Sequence, residues 1–145
     1  MKNLASVSVD MDSISAFLGA YGYKSEGSNI TYGKILPRFL DFFKKQDIRA
    51  TFFLIGNKIK KENSEIIERL IEDGHEIGNH TNSHPFNFST LSLEKKKFEI
   101  SGMEENLKDI VGSKVKVVGC RTPGWDVDEE TIKILEEKKY LYDTS

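Results

Sequence analysis

The feature that most constrains the fold is a regular alternation of short β-prone runs with amphipathic helical segments. The clearest β-prone run, Ala50–Ile55, is continuous and mostly apolar, as in a strand buried within a parallel sheet. The preceding segment, Gly33–Gln46, has apolar residues at helical spacing. Alternation of strands and helices predicts an α/β fold with a parallel sheet.

The other elements predicted from residue patterns continue this alternation. The predicted strands are Leu4–Val9, Ala50–Ile55, His75–Gly78, Val115–Val118 and a fifth that begins at Tyr140–Tyr142. The predicted helices are Gly33–Gln46, a second around Ile66–Ile71 that stops at Asp73-Gly74, Leu93–Val111 with Ser92 as its cap, and Asp128–Lys138. Phe17–Tyr32 is rich in Gly, Ser and Tyr without a clear period, so a long loop is predicted there.

The chain is predicted to form a single domain over residues 1–145, because no internal repeat or low-complexity tract divides it. A complete parallel (β/α) barrel usually needs roughly 200 residues or more. We therefore expect a barrel that is unfinished, or truncated at its C-terminus.

Composition excludes several classes of partner. The 21 basic and 23 acidic residues give a net charge of −2, which offers no electrostatic reason to bind nucleic acid or an anionic membrane. No apolar stretch has the length of a membrane span or a signal peptide, so we expect a cytoplasmic protein. The single cysteine, Cys120, excludes an internal disulfide framework and is expected to be a small buried thiol. No pattern indicates the oligomeric state.

Two aspartates follow the first predicted strand. Asp10 and Asp12 are separated by Met11, and a two-residue step places both carboxylates on the same face of an extended chain. Taken alone, two acids at a strand end more often cap the next segment or bind water.

Two histidines after the third predicted strand change that balance. His80 and His84 lie four residues apart in a segment rich in turn-forming residues, so both imidazoles can face one ion. A nearby carboxylate would complete a three-ligand site that leaves positions open for water and substrate. Active sites on parallel α/β sheets gather at the carboxyl ends of the strands, where these residues lie. A structural reading, in which the histidines are incidental, stays open; His75, inside the strand, is expected to be structural.

A third motif, Arg121-Thr122-Pro123-Gly124-Trp125, follows the fourth predicted strand. Its arginine can pair with a carboxylate and keep that carboxylate ionised. The simpler interpretation is a turn anchored by an aromatic side chain.

Taken in order, these motifs resemble the polysaccharide deacetylase family, also called carbohydrate esterase family four or the nodulation-type chitooligosaccharide deacetylase homology domain. The resemblance runs from Val7 to Asp143. It rests on Asp10-Met11-Asp12, Gly74-His75-Glu76-Ile77-Gly78-Asn79-His80-Thr81-Asn82-Ser83-His84, Arg121-Thr122-Pro123-Gly124-Trp125 and Tyr142-Asp143. It implies an α/β fold, a distorted parallel (β/α) barrel of the polysaccharide deacetylase type.

The resemblance also implies a metal centre and its base. Asp12, His80 and His84 match the ligands of one divalent ion, with zinc expected first and cobalt, nickel or iron as alternatives. Asp10 matches the catalytic base, and Arg121 matches the arginine that holds this base ionised and oriented.

Three further residues receive roles from the same resemblance. A backbone N–H near Gly124 is expected to stabilise the oxyanion, and Trp125 to belong to the sugar-facing wall. Asp143 matches an aspartate that supports a catalytic histidine on a subsequent strand.

The sequence departs from the family pattern at three points. Many members have two adjacent aspartates in the first motif. Here Met11 separates them, which is similar to an Asp-x-Asp subset of the family. Gly124 stands where many members have an aromatic residue directly after the proline. No histidine follows Asp143, so the usual general acid is missing from this sequence.

The expected function is metal-dependent hydrolysis of an N-acetyl group on a sugar or polysaccharide. The expected partner is therefore an N-acetylated glycan. Two alternatives stay open: a catalytically silent carbohydrate-binding relic of the same fold, and an amidohydrolase that acts on a non-sugar amide.

Overall fold

The computed structural model describes residues 5–14, 18, 22–23 and 30–145. Most of the predicted loop Phe17–Tyr32, and residue 4 of the first predicted strand, therefore lie outside the described residues. At the end of that loop, Thr31 and Tyr32 belong to a π-helical turn, Thr31–Ile35.

Within the described residues, five strands alternate with four α-helices that lie between residues 36 and 137. The strands are β1 Ser8–Asp10, β2 Thr51–Leu54, β3 Glu76–Asn79, β4 Gly119–Cys120 and β5 Tyr142–Asp143. The helices are α1 Leu36–Lys45, α2 Ser64–Glu72, α3 Leu93–Val111 and α4 Glu129–Glu137. The predicted helix Gly33–Gln46 thus begins as the π-helical turn and continues as α1, with proline in its first turn, where a missing N–H costs nothing.

The sheet runs in the order β1-β2-β3-β4-β5, and every adjacent pair is parallel. Strands that follow one another in both sequence and space, with helices between them, build the wall of a (β/α) barrel. The predicted α/β fold with a parallel sheet is confirmed.

The helix side of the sheet carries the apolar core. Phe52, Leu54 and Ile77 from the strands are buried with side chains from α1, α2 and α3. A second buried cluster joins Cys120 to apolar residues of α3 and α4. Cys120 is fully buried, as predicted, and burial raises the pKa of its thiol above the ordinary value.

The opposite side of the sheet is concave and polar. Arg121, just after β4, hydrogen-bonds to Asp10 and Ser8 on β1 although β2 and β3 lie between. Three strand spacings in a flat sheet would measure roughly 14 Å, more than an arginine side chain spans, so the sheet curves around this side. The ring of Phe53 fills part of the concavity over Gly78, where any Cβ would overlap the ring.

The position of the fourth strand was predicted wrongly. Val115–Val118 forms no strand, and β4 is Gly119–Cys120. Val115 and Val117 pack against the apolar cluster instead. Pairing with β5 needs residue 119 to be glycine, because the Tyr142 ring occupies the space of its Cβ. Apolar content thus marked the approach to the strand rather than the strand itself.

Two smaller differences concern ends and caps. Ser92 stands at the N-cap position of α3, as predicted, but its side chain makes no capping bond. The helix predicted over Asp128–Lys138 is α4, Glu129–Glu137, and Asp128 is its cap: the carboxylate accepts the N–H of Thr131 at 2.9 Å. Within the described residues, no helix combines the length and apolar character needed to cross a membrane.

Candidate metal and catalytic site

The loop after β3 has an unusual backbone. Thr81 and His84 have φ angles of 64° and 59°, the left-handed region that is costly for a side chain branched at Cβ such as threonine. Asn79 Oδ1 accepts the Thr81 N–H at 2.8 Å, and Thr81 Oγ1 accepts the His84 N–H at 3.2 Å. The Gly56 N–H donates to the Thr81 carbonyl at 3.0 Å. These bonds hold a conformation that brings the rings of His80 and His84 to a centroid distance of 4.9 Å.

Three side chains from two strand ends meet at one point. Asp12 Oδ1 lies 3.4 Å from His80 Nε2 and 3.2 Å from His84 Nε2. One ligand atom from each residue lies within 4.8 Å of the other two. Ligand atoms around a tetrahedral zinc, at bonds of about 2.0–2.1 Å, are roughly 3.3 Å apart. The two separations that involve Asp12 Oδ1, 3.4 and 3.2 Å, therefore match the spacing that a single small divalent ion requires.

The Nδ1 atoms of the two histidines in the cluster differ in their hydrogen bonding. His80 Nδ1 lies 2.6 Å from the Arg121 carbonyl oxygen. Because a carbonyl only accepts, Nδ1 carries the proton, and the lone pair of neutral His80 is on Nε2, which faces Asp12. His84 Nδ1 is buried and has no hydrogen-bond partner among the described residues.

The charge of Asp12 is stabilised by the same histidines. Burial alone would raise the pKa of this carboxyl, but hydrogen bonds and charge from His80 and His84 outweigh burial and hold the pKa well below its ordinary value. The Asp12 carboxylate is therefore anionic at neutral pH, and its side chain remains 41% exposed to solvent.

Arg121 connects three strands at the same edge. Its Nη1 donates to Asp10 Oδ1 at 2.6 Å, its Nη2 to Ser8 Oγ at 3.1 Å and its Nε to Thr144 Oγ1 at 3.0 Å. The guanidinium carbon lies 4.4 Å from the centroid of the Phe53 ring. These contacts fix the orientation of the arginine, and through it the orientation of the Asp10 carboxylate.

The segment Pro123–Trp125 forms a tight turn beside this pair. Gly124 and Trp125 both have positive φ, 66° and 57°. The N–H groups of Trp125 and Asp126 donate to the carbonyls of Thr122 and Pro123, whereas the Gly124 N–H makes no such bond among the described residues. The oxyanion role expected for Gly124 remains a prediction. The Trp125 side chain is 67% exposed, which leaves a large aromatic surface next to the site.

Asp143 is not brought to the cluster. It lies in register with Cys120, which faces the helices, so its side chain points away from the side that carries Arg121. Its two oxygens accept the Ser145 hydroxyl at 2.9 Å and the Ser145 N–H at 3.0 Å. The role expected for Asp143 remains a prediction.

Several contributors to the site were missed from the sequence. Ser8 and Thr144 anchor the arginine, and Glu99 of α3 accepts two hydrogen bonds from Ser83, next to His84. Strand parity offered a signal for Ser8, which shares a face with Asp10. Nothing in the local sequence around Glu99 predicts a partner sixteen residues away.

Comparison with known proteins places this site in a family. A family profile described as Polysaccharide deacetylase matches residues 27–142. The peptidoglycan-N-acetylglucosamine deacetylase of Bacillus cereus is 32% identical over 129 residues, which cover 87% of this chain and 46% of that protein. The peptidoglycan deacetylase of Helicobacter pylori is 29% identical over 147 residues, which cover 98% of this chain and 49% of that protein.

Solved structures show the same likeness. A mutant of BA3943, a CE4 family pseudoenzyme of Bacillus anthracis, with restored enzymatic activity, matches with a TM-score of 0.72 and 25% identity over 96% of this chain and 43% of that one. This chain spans about half the length of the curated relatives it matches. The profile match covers most of the chain, and the chain therefore belongs to the polysaccharide deacetylase family.

Proposed function

We propose that the protein is a metal-dependent deacetylase that hydrolyses the N-acetyl group of a sugar within a glycan. The observation that carries the proposal is the cluster of Asp12, His80 and His84, with ligand atoms within 4.8 Å of one another, beside the Arg121–Asp10 pair. Family membership supports a hydrolase that acts on sugar amides. The names of two relatives, both peptidoglycan deacetylases, support peptidoglycan as the glycan.

The donor set suits a divalent ion such as zinc, because two imidazole nitrogens and one carboxylate leave coordination positions open. An ion held there would polarise the acetyl carbonyl and lower the pKa of water. The buried histidines fix two of the donors, while the exposed side of Asp12 leaves an approach for the substrate.

Asp10 is the proposed base. Its carboxylate is held by Arg121 at 2.6 Å on the concave side of the sheet, at the same edge as the cluster. In this position it takes a proton from the attacking water as the water oxygen bonds to the acetyl carbon. The C–N bond then breaks, and the amine must receive one proton; the proton that Asp10 took balances this step.

The turn after β4 completes the proposed site. The amide N–H of Gly124 donates to the oxygen that becomes negative as the carbonyl carbon turns tetrahedral. The exposed Trp125 ring provides an apolar face against which a sugar ring can stack.

The test is release of acetate from N-acetylglucosamine oligomers and from peptidoglycan fragments, measured with and without a chelator. We expect activity that the chelator removes and that added zinc or cobalt restores. Asp10→Asn should lower the rate constant by at least a hundredfold while the protein keeps its metal, because the substitution removes only the base. Undiminished acetate release by Asp10→Asn would exclude Asp10 as the base.

A second candidate is a glycan-binding protein without turnover. The observation in its favour is the likeness to BA3943, whose unmodified form is called a pseudoenzyme. Retention of N-acetylated oligomers by the metal-loaded protein, with no acetate released at any metal concentration, would favour this candidate over the deacetylase.

A further inference from the structure

The loop after β3, residues 80–84, contains both histidines of the cluster and is called the ligand loop. It is bonded to α3 at Ser83, directly before His84. Glu99 Oε2 accepts the backbone N–H of Ser83 at 2.7 Å, and Glu99 Oε1 accepts the Ser83 hydroxyl at 2.6 Å. Both oxygens of one carboxylate therefore bind the same residue, which fixes its main chain and its side chain together. The next residue along the chain is a proposed metal ligand.

Burial of the Glu99 carboxylate is energetically unfavourable by itself. Its residue surface is only 7% exposed, and among the described residues no basic side chain lies within ion-pair distance of it. A buried carboxylate without a cation is unfavourable unless hydrogen bonds satisfy it. For Glu99 those bonds come from Ser83, so the carboxylate and the loop are energetically coupled.

The loop needs such an anchor because its conformation is strained. Thr81 and His84, on either side of Ser83, both have positive φ, and such residues persist only when the surroundings determine them. The bond from the His84 N–H to Thr81 Oγ1 is internal to the loop and fixes its shape, not its position. The bonds to Glu99 hold the loop in a fixed position relative to α3.

The same helix makes two further contacts, one with the last residue of β3 and one with the loop. Asn79 Nδ2 donates to the Ile100 carbonyl at 2.9 Å, and Asn106 Nδ2 donates to Asn82 Oδ1 at 2.9 Å. Gly102 allows the close approach, because a Cβ there would lie 3.0 Å from Asn82 Cγ. Helix α3 thus supports the ligand loop together with the N–H groups of Gly56 and Asn57, which donate to the Thr81 and Asn82 carbonyls. Among the described residues, Glu99 is the only charged side chain of α3 that hydrogen-bonds to this loop.

We propose that Glu99 is a positioning residue for the metal centre, which holds Ser83 so that His84 Nε2 faces Asp12 before an ion binds. This inference rests on the metal site of the proposed function. It extends that site from its ligands to α3, and it assigns to a buried acid a role in metal affinity rather than in packing.

The experiment is a zinc-affinity titration of the metal-free protein against a competing chelator, which needs no enzymatic turnover. Glu99→Gln has the same shape but can accept from only one of the two Ser83 donors through its oxygen. Ser83→Ala removes the hydroxyl partner alone. We expect each substitution to weaken zinc binding about tenfold to a hundredfold, the loss typical of groups that orient metal ligands. Glu105→Gln, at an exposed position of the same helix, is the matched control and should bind as the parent does.

A conservative variant separates positioning from packing. Ser83→Thr keeps the hydroxyl at an exposed position and should retain the parental affinity. The cobalt-loaded protein should show an altered visible spectrum in Glu99→Gln and a parental one in Ser83→Thr. Parental zinc affinity in folded Glu99→Gln and Ser83→Ala would overturn the role of Glu99 alone. Failure of the parent protein itself to bind zinc would overturn the metal site and this inference with it.

Discussion

The two ends of β3 each carry a buried histidine, yet the two side chains have different surroundings. At the amino end, His75 is 8% exposed and its ring lies 5.2 Å from that of Phe52 and 5.8 Å from that of Phe43, measured between centroids. Its Nδ1 accepts the N–H of Ala50 at 3.1 Å. At the carboxyl end, His80 is 2% exposed, but its Nε2 faces a carboxylate and a second imidazole ring lies beside it.

This difference teaches that burial alone does not separate a structural histidine from a candidate metal ligand. The informative feature is what faces the nitrogen that carries the lone pair. In His75 the acceptor nitrogen is used by a backbone N–H, and Nε2 has no hydrogen-bond partner among the described residues. In His80 a backbone carbonyl fixes the protonated nitrogen and leaves the lone pair toward Asp12.

The largest expected effect comes from substitutions in the cluster at the carboxyl end of β3. We expect His80→Ala and Asp12→Ala to lose at least a hundredfold in zinc affinity, because each removes one of three ligands. His75→Gln should retain near-stoichiometric zinc, because this side chain touches no member of the cluster. Elemental mass spectrometry of the purified proteins measures the difference. Loss of metal from a folded His75→Gln protein would contradict the comparison.

A second substitution tests the strand between the two ends. The Cβ of Gly78→Ala would overlap the Phe53 ring, which lies beneath the guanidinium of Arg121. We expect the free energy of unfolding to fall by about 1–3 kcal/mol, the usual cost of overpacking. Urea denaturation measures this change. Gly33→Ala is the control, because no atom lies within 4 Å of its added Cβ; equal losses in both variants would remove the steric explanation.

The smallest expected effect concerns pH at the amino end. Burial lowers the pKa of His75 below its ordinary value, with nearby Arg49 adding to the effect and Asp73 opposing it. The unfolded chain therefore takes up this proton before the folded chain does. Stability that is fully present above pH 6.5 should be lost as the pH falls through the lowered pKa.

Thermal unfolding between pH 8 and pH 5, with chelator present, measures this dependence. The decline should be shallower in His75→Gln, since that variant lacks the group. Because every other titratable group is common to the two proteins, only the difference between the two curves reports His75. Identical curves would show that His75 does not contribute.

Much of the architecture could be predicted from the sequence because hydrophobic periodicity reports burial directly. Ala50–Ile55 and Leu93–Val111 correspond closely to β2 and α3. The fourth strand could not be placed, because β4 is a glycine and a cysteine whose neighbours in space decide the pairing. Apolar Val115–Val118 drew the prediction there, although those residues pack on the core rather than pair.

The same contrast holds within the site. The approach of Asp12, His80 and His84 could be expected, since each follows a strand of one parallel sheet. The two bonds from Ser83 to Glu99 could not, because they depend on how α3 packs under the loop. A contact between a loop and a helix leaves no hydrophobic periodicity in either segment, so the sequence does not report it.

The reach of Arg121 has a consequence for the order in which the site assembles. Its bonds to Asp10 and Ser8 close loops of 111 and 113 residues, and contacts of such sequence separation form late because chain entropy opposes them. The three proposed metal ligands, Asp12, His80 and His84, all leave the ribosome before Arg121 does. A growing chain therefore contains the side chains of the proposed metal site before it contains the arginine that orients the proposed base.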